Sequence, residues 1–393
     1  MLHRKKAGRR FRCRELVCWE WKKLCQMPML YIFLLLCVAF NMQLVFGSQY
    51  GEDYVAYVRQ ARQQAGSRMG EAFWARASEM ADSKEKERLL RETKGAKDTF
   101  EDYDAMETAA RLIGMYRLEG WAADALERKY QKQEPRIREL AASDASMEVG
   151  AAGMTKEIFD ALFAKLCRAV LTQGLLFAVF AALCSSGSEQ IERTWRAVYA
   201  TKRGRYVQRE KFVAGFVYAT AAYGIVAVVS CAVFAGSWRL GEIWQTPMST
   251  QFYDIHSMGV RLPFVTWADF TMRGYLAAVL LLGIAVVAVF YLFGYCAGLL
   301  AKNSYAAFLL LFLVSAFNFE VILLAGNAGR WGVYEAAMWT PVAFWWSHPL
   351  WFTDMGINAV VPWQECAVGA LCLAEAAVLL SFGFRHYYRK DLK

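Results

Sequence analysis

Six apolar runs divide this chain: Pro28 to Gly47, Ala169 to Gly187, Phe212 to Trp238, Tyr275 to Leu300, Ser304 to Gly326 and Cys366 to Phe384. A helix needs roughly 20 apolar residues to cross a bilayer, so each run predicts a membrane span. The segment between the first two, residues 48–168, has the opposite character. It is rich in Ala, Glu, Arg and Lys and holds a single proline, Pro135. These are helix-forming residues. Asp82 followed by Glu85, and Asp104 followed by Glu107, resemble helix starts ahead of Leu89/Leu90 and Leu112/Ile113. Gly120 and Pro135 predict breaks. The pattern therefore predicts a small bundle of about four to six helices with no strands. Tyr54, Tyr57, Phe73, Trp74, Leu89, Ile113, Tyr116, Trp121 and Leu126 would supply its core.

Two further segments are amphipathic or interrupted. In residues 1–27, Val17, Cys18, Trp21, Leu24 and Cys25 share one side of a helix, with Arg14 the exception on that side, and Arg12, Glu15, Lys22 and Lys23 collect elsewhere. Such a helix lies in the membrane interface, and Pro28 then suits a bend into the bilayer. Residues 327–365 hold six tryptophans, with Pro341 and Pro349 breaking the run into short pieces. Trp favours membrane interfaces because its ring is apolar and its N–H needs a partner. This segment is expected to lie on the outer leaflet or to re-enter it. A lid that contacts substrate is the second reading of the same residues.

Composition agrees with this picture. The chain is 57% hydrophobic, more than an ordinary soluble protein of 393 residues uses. Its net charge of +9 is unevenly placed. Nine Lys or Arg precede the first span, seven lie in Gly187 to Lys211, and four follow Phe384. Positive residues favour the cytoplasmic side, so both termini and the 188–211 loop are expected in the cytoplasm, with 48–168, 239–274 and 327–365 outside. Anionic headgroups explain these clusters better than nucleic acid does. The expected fold class is an all-α polytopic membrane protein with six transmembrane helices and an inserted exterior helical domain. Residues 48–165 hold no cysteine, which excludes a disulfide framework there, and Cys13, Cys18 and Cys25 fit no zinc spacing.

The chain carries no phosphate-binding G-x-x-x-x-G-K-[ST] loop, no H-E-x-x-H and no G-x-S-x-G. It is read as a non-enzyme with no metal and no cofactor of its own. Ionisable groups within a bilayer are functional candidates. Glu375 falls near the middle of the sixth span, and Glu320 in the outer part of the fifth beside Asn318. They could line a polar path, couple to a proton, or bond a neighbouring helix. Gly294 and Gly298 form a G-x-x-x-G step that permits close helix approach, within the chain or between copies.

The loop after the second span holds the most specific pattern. Ile191, Trp195 and Val198 fall on one helical face, beside Glu192, Arg196 and Tyr199, and a basic turn follows at Thr201 to Arg205. Either a helix presents its charged edge to a soluble partner, or this is a basic loop with a lipid-facing helix. Glu192, Thr194, Thr201, Gly204, Arg205 and Lys211, together with the basic arm and six spans, resemble the membrane subunit of bacterial ABC-2-type transporters. The resemblance implies a plasma-membrane exporter, dimeric with itself or a related permease, whose partner ATP-binding subunit holds ATP and Mg. Glu189 to Tyr199 would be the coupling helix. Glu189, Glu192, Arg193, Trp195, Arg196, Tyr199, Arg203 and Arg205 would form the contact with that subunit. The large exterior domain departs from many members, which leaves the substrate open. The alternative is a membrane sensor or scaffold whose exterior domain binds a ligand or partner.

Overall fold

The computed structural model describes residues 15–48, 51–143, 145–191, 194–201, 204–257 and 260–389. Helix α1 covers 15–25 and breaks at Met27 before Pro28, where α2 (Pro28–Gly47) begins. Leu24 of α1 is buried and Trp21 packs edge-on against Tyr218 at 5.6 Å, so part of the predicted apolar face meets protein. Cys18 and Cys25 are exposed.

A helical head follows, built from α3 (Glu52–Ala65), α4 (Glu71–Glu79), α5 (Lys84–Thr93), α6 (Thr99–Asp102), α7 (Ala105–Tyr116) and α8 (Trp121–Ala142). Its local signals are those of ordinary helix capping. The Asp104 carboxylate accepts from the amides of Met106 and Glu107 at the start of α7, as its spacing predicts. The α5 cap is Ser83 rather than Asp82, whose carboxylate instead takes the Lys86 ammonium at 2.8 Å. Gly120 begins α8 at φ 58°, a left-handed position that favours glycine. Pro135 does not break α8. Leu126, Tyr130, Ile137 and Leu140 bury one face on both sides of it, and that packing overrides the missing N–H. Of the predicted head core, Tyr54, Phe73, Leu89 and Leu126 are buried, whereas Trp121 is 56% exposed.

Among the described residues, six helices are long and apolar enough to cross a membrane. The first is α2. The second starts earlier than the sequence suggests, at Glu157 rather than Ala169. Ahead of it lies α9 (Val149–Gly153), and a π-helical stretch (Met154–Cys167) leads on into α10 (Arg168–Ile191). Polar residues that suggested exterior chain are accommodated within the helix, as when Glu157 pairs with Arg88 at 2.6 Å. After α11 (Trp195–Tyr199), the third is α12 (Gln208–Trp238), preceded by a 3-10 turn at Gly204–Val207. The others are α13 (Met272–Leu300), α14 (Ser304–Asn327) and α17 (Gln364–Arg389). Helix α10 is central and packs on α12 and α13, and α13 packs on α17. In the second span 67% of the most apolar stretch is buried, against 11% in α14, so α14 is a peripheral helix.

One departure from all-helical structure is an antiparallel hairpin in the 239–274 connection, β1 (Thr250–Ser257) and β2 (Val260–Phe264). Ile255, Val260, Leu262 and Phe264 bury one set of its side chains. Tyr253 stacks on Phe159 at 3.7 Å and Phe264 meets the same ring at 4.8 Å. The hairpin thereby seals the head end of the second span. Residues 327–365 do fold as short pieces, α15 (Trp331–Met338), α16 (Pro341–Trp346) and two 3-10 turns. Their tryptophans are only partly an interfacial belt. Trp351 is fully buried, Trp331 donates to the Tyr116 carbonyl, and Trp345 donates to Thr172 Oγ1.

Candidate functional site

The end of the bundle opposite the head contains a cluster that closes around the 188–207 connection. Helix α10 carries Ser188 and Glu189 at its end, and α12 brings Lys211 against both. Lys211 is 1% exposed and Glu189 6%, so the pair is an ion pair out of water. A buried charge persists only when it is paired and hydrogen-bonded, and here the carboxylate and the Ser188 hydroxyl supply both.

One turn before Lys211, Gln208 uses its whole amide. The Tyr295 hydroxyl of α13 lies 2.7 Å from the Gln208 backbone carbonyl and 2.7 Å from its Oε1. Gln208 Nε2 donates to the Ser186 carbonyl at 3.2 Å and to the Tyr387 hydroxyl at 3.4 Å. Helices α10, α12, α13 and α17 therefore meet at one side chain. Arg205, in the turn ahead of α12, donates to the carbonyls of Tyr387 and Tyr388 at 3.0 and 3.3 Å. A cation at the carbonyl end of a helix completes orphan acceptors and meets the negative end of the helix dipole. Tyr206 and Tyr388 rings follow at 5.0 Å.

The predicted coupling residues divide accordingly. Glu189 belongs to the end of α10, not to a loop helix, and its carboxylate is committed to Lys211. Arg205 grips α17, and Arg196 is exposed on α11, which Trp195 and Tyr199 bound. Glu192, Arg193 and Arg203 lie outside the described residues. Gln208, Tyr295 and Tyr387 were missed by the sequence reading. A glutamine in a charged run and two tyrosines in apolar helices give no signal of meeting.

The candidates within the spans also separate. Glu375 and Glu320 face out of the single-chain bundle, so neither lines a path through its interior. Asn318 accepts from the Thr340 hydroxyl at 2.8 Å and joins α14 to α16. Gly294 and Gly298 pack against α10 within the chain. A Cβ at Gly294 would stand 3.1 Å from Ala182 Cβ, and one at Gly298 would overlap the Ser186 hydroxyl. A polar contact that the sequence reading overlooked joins three spans. Asn41 Nδ2 donates to Gln173 Oε1 and Ser230 Oγ, each at 2.8 Å, and Gln173 Nε2 returns a bond to Asn41 Oδ1 at 2.8 Å. This amide pair is fully matched, which makes it a fastener between α2, α10 and α12.

At the head end, Lys129 of α8 is 1% exposed and donates to the carbonyls of Asp354 at 2.9 Å, Ala359 at 3.0 Å and Gly356. Burial pushes its ammonium down to about 8, and the Asp354 and Glu335 carboxylates act in the opposite direction. Burial pushes Glu335 up to about 7, against the pull of Lys129. Arg136, two turns on, holds Asp269 at 2.6 Å and the Thr266 carbonyl at 3.1 Å. The head is thus fastened to two connections between spans. Comparison of the chain with protein-family models, curated proteins and solved structures finds no match.

Proposed function

We propose that this chain is the membrane-spanning permease of an ABC-2-type transporter, paired with a second permease copy or a related chain. It moves a substrate, in the export direction, using ATP and Mg held by a separate ATPase subunit. In this reading the termini and the 188–207 connection face the bacterial cytoplasm and the head faces outward. The observation that carries it is the clasp at the loop end. Residues 205–211, at the root of α12, bond to α10, α13 and α17 through Arg205, Gln208 and Lys211, so a push on the connection is transmitted to four of the six long helices. A loop that only satisfied charge orientation would need no such buried fastening. The outward-facing Glu375 fits a dimer, because a carboxylate within the bilayer is costly against lipid and is relieved at a helix interface.

The test is purification from the native membrane in mild detergent with identification of co-purifying subunits. An ATPase bearing a phosphate-binding loop, with turnover stimulated by this chain, is the expected result. Glu192→Ala and Arg205→Ala should abolish that stimulation while leaving insertion intact. Wild-type turnover in both variants would sink the reading.

A second reading, a sensor, draws on a different observation. The head carries an open polar cavity of about 710 Å³ lined by residues including Asp53, Tyr57, Gln60, Gln64 and Glu85. A complex that purifies intact without any ATPase would favour a ligand in that cavity.

A further inference from the structure

An apolar slot of about 320 Å³ lies between α10, α13, α14 and the start of α16, lined by Leu175, Val179, Phe290, Phe293, Phe308 and Leu311 among others. That volume is at the lower end of the range for small-molecule pockets, about 300–1,000 Å³. Its few polar groups, including Ser315, Asn318 and Thr340, are contributed by α14 and the α16 start. The Asn318 carbonyl oxygen takes the Thr340 hydroxyl, and its amide nitrogen has no partner among the described residues.

The stripe on α10 that forms one wall continues towards the head. Arg168, Thr172, Leu175 and Val179 follow the i, i+4, i+7, i+11 spacing of one helix face. Arg168 therefore sits above the slot, about 10 Å from Leu175 along the helix. Helix α16 spans the same distance. Its Pro341 and Val342 border the slot, Trp345 donates to Thr172, and Trp346 lies under the Arg168 guanidinium at 4.4 Å. Among the described residues no carboxylate is within ion-pair reach of Arg168, and its buried Nε has no hydrogen-bond partner. An unmatched cation on a membrane-crossing helix is costly without an anion.

We propose that this stripe is a binding site for one membrane phospholipid. One acyl chain fills the slot, the Asn318 amide donates to the ester region, and the Arg168 guanidinium holds the phosphate. The occupant follows from the surroundings. A slot walled by membrane-crossing helices takes acyl chains as its solvent, and a planar guanidinium stacked on indole is suited to a phosphate oxygen pair. The low enclosure of α14 leaves the slot a lateral entrance. The inference requires the six helices to span a bilayer, and does not depend on the transporter reading.

The test places the full chain in nanodiscs with phosphatidylethanolamine carrying a diazirine on one acyl chain, and maps the labelled residues by mass spectrometry. Labelling at the slot residues Leu175, Val179, Phe308, Leu311 and Ser315 should exceed that of Leu309, Leu313 and Phe317 on the outer face of α14 at least threefold. Arg168→Gln should lower slot labelling several-fold, Arg168→Lys should restore part of it, and Leu175→Trp should fill the slot and lower it. A diazirine diacylglycerol, which lacks phosphate, should label the slot less in the wild type. That comparison decides the matter even where a variant folds poorly. Slot labelling no greater than outer-face labelling, or equal labelling by the two lipids, would overturn the proposal.

Discussion

Lys211 and Lys129 lie at opposite ends of the molecule, each 1% exposed, yet they are accommodated by different physics. Lys211 meets a full opposite charge, Glu189, from the adjoining helix. Lys129 meets three backbone carbonyls of residues 354–359, more than two hundred positions away in sequence. The first arrangement is local and joins α10 to α12 at the root of their connection. Separating it would strand two ions out of water, so the two helix ends should move as one body. The second is a long-range latch. Its carbonyls are neutral and can be satisfied by water once released, so the head can part from the 354–359 segment at lower cost. A bundle built this way is stiff at the loop end and releasable at the head end.

The largest test of that contrast removes one partner of the ion pair. Glu189→Gln or Lys211→Met each leaves a buried charge uncompensated, with an expected loss of about 3–5 kcal/mol. Melting in detergent should fall sharply in both. The double variant Glu189→Leu/Lys211→Met should recover most of the stability, because an apolar replacement of both ions removes the stranded charge. Equal melting of the single and double variants would show that the pair is not the local fastener described.

Lys129→Met is the next largest, with about 2–3 kcal/mol expected from carbonyls left without a donor. The loss should be regional. Hydrogen exchange should speed up at 354–359 and in α8 while the loop-end helices stay protected. Uniform acceleration over the bundle would argue against a releasable latch.

The two ends also differ in how far they could be read from the chain. The helix start at Asp104 was legible because a cap is a matter of a few neighbouring residues, and Gly120 was legible as a break between helices. Six spans were legible because bilayer-length apolar runs are unmistakable in composition. Their starts were not. Gln208 to Lys211 read as loop because they are polar, and only the folded α10 supplies Glu189 to neutralise Lys211. Glu157 was likewise assigned to the exterior domain until α5 supplied Arg88. Lys129 was invisible, since its partners are peptide carbonyls that no residue type announces. The Asn41–Gln173 pair was not legible because an uncharged amide in an apolar run carries no sign of the partner it will meet, although amides can bond across helices without charge.

A smaller effect follows from the titrating neighbour of the latch. The Glu335 carboxyl is held up near 7, so between its ordinary value of 4.5 and 7 the folded chain binds the proton that the unfolded chain has released. Stability therefore falls as pH rises across that window. Lys129 acts in the opposite sense at higher pH. Between about 8 and 10.5 the unfolded chain keeps the proton that the folded chain gives up, so stability rises with pH. The latch contribution should be least near neutrality. Glu335→Gln should remove about 1–3 kcal/mol of the acid-side slope. A wild-type melting curve as flat as that of the Gln variant from pH 4.5 to 7 would rule this out.

The smallest expected effect sharpens the comparison within one helix. Arg136 and Arg138 are two positions apart on α8, and both make ion pairs with glutamates of that helix, Glu139 at 2.6 Å and Glu134 at 3.0 Å. The Arg138 side chain is 79% exposed and its pair is local, so Arg138→Ala should change stability by no more than about 0.5 kcal/mol. Arg136 is 8% exposed and also reaches Asp269 and the Thr266 carbonyl across the head boundary. Its removal leaves that carbonyl unpaired, and about 2 kcal/mol is expected. If both substitutions prove equally mild, α8 is held by its Lys129 latch and not by Arg136. If Arg136→Ala alone loosens the 266–269 connection in hydrogen exchange, α8 anchors the head through two separate latches, and opening requires both to release.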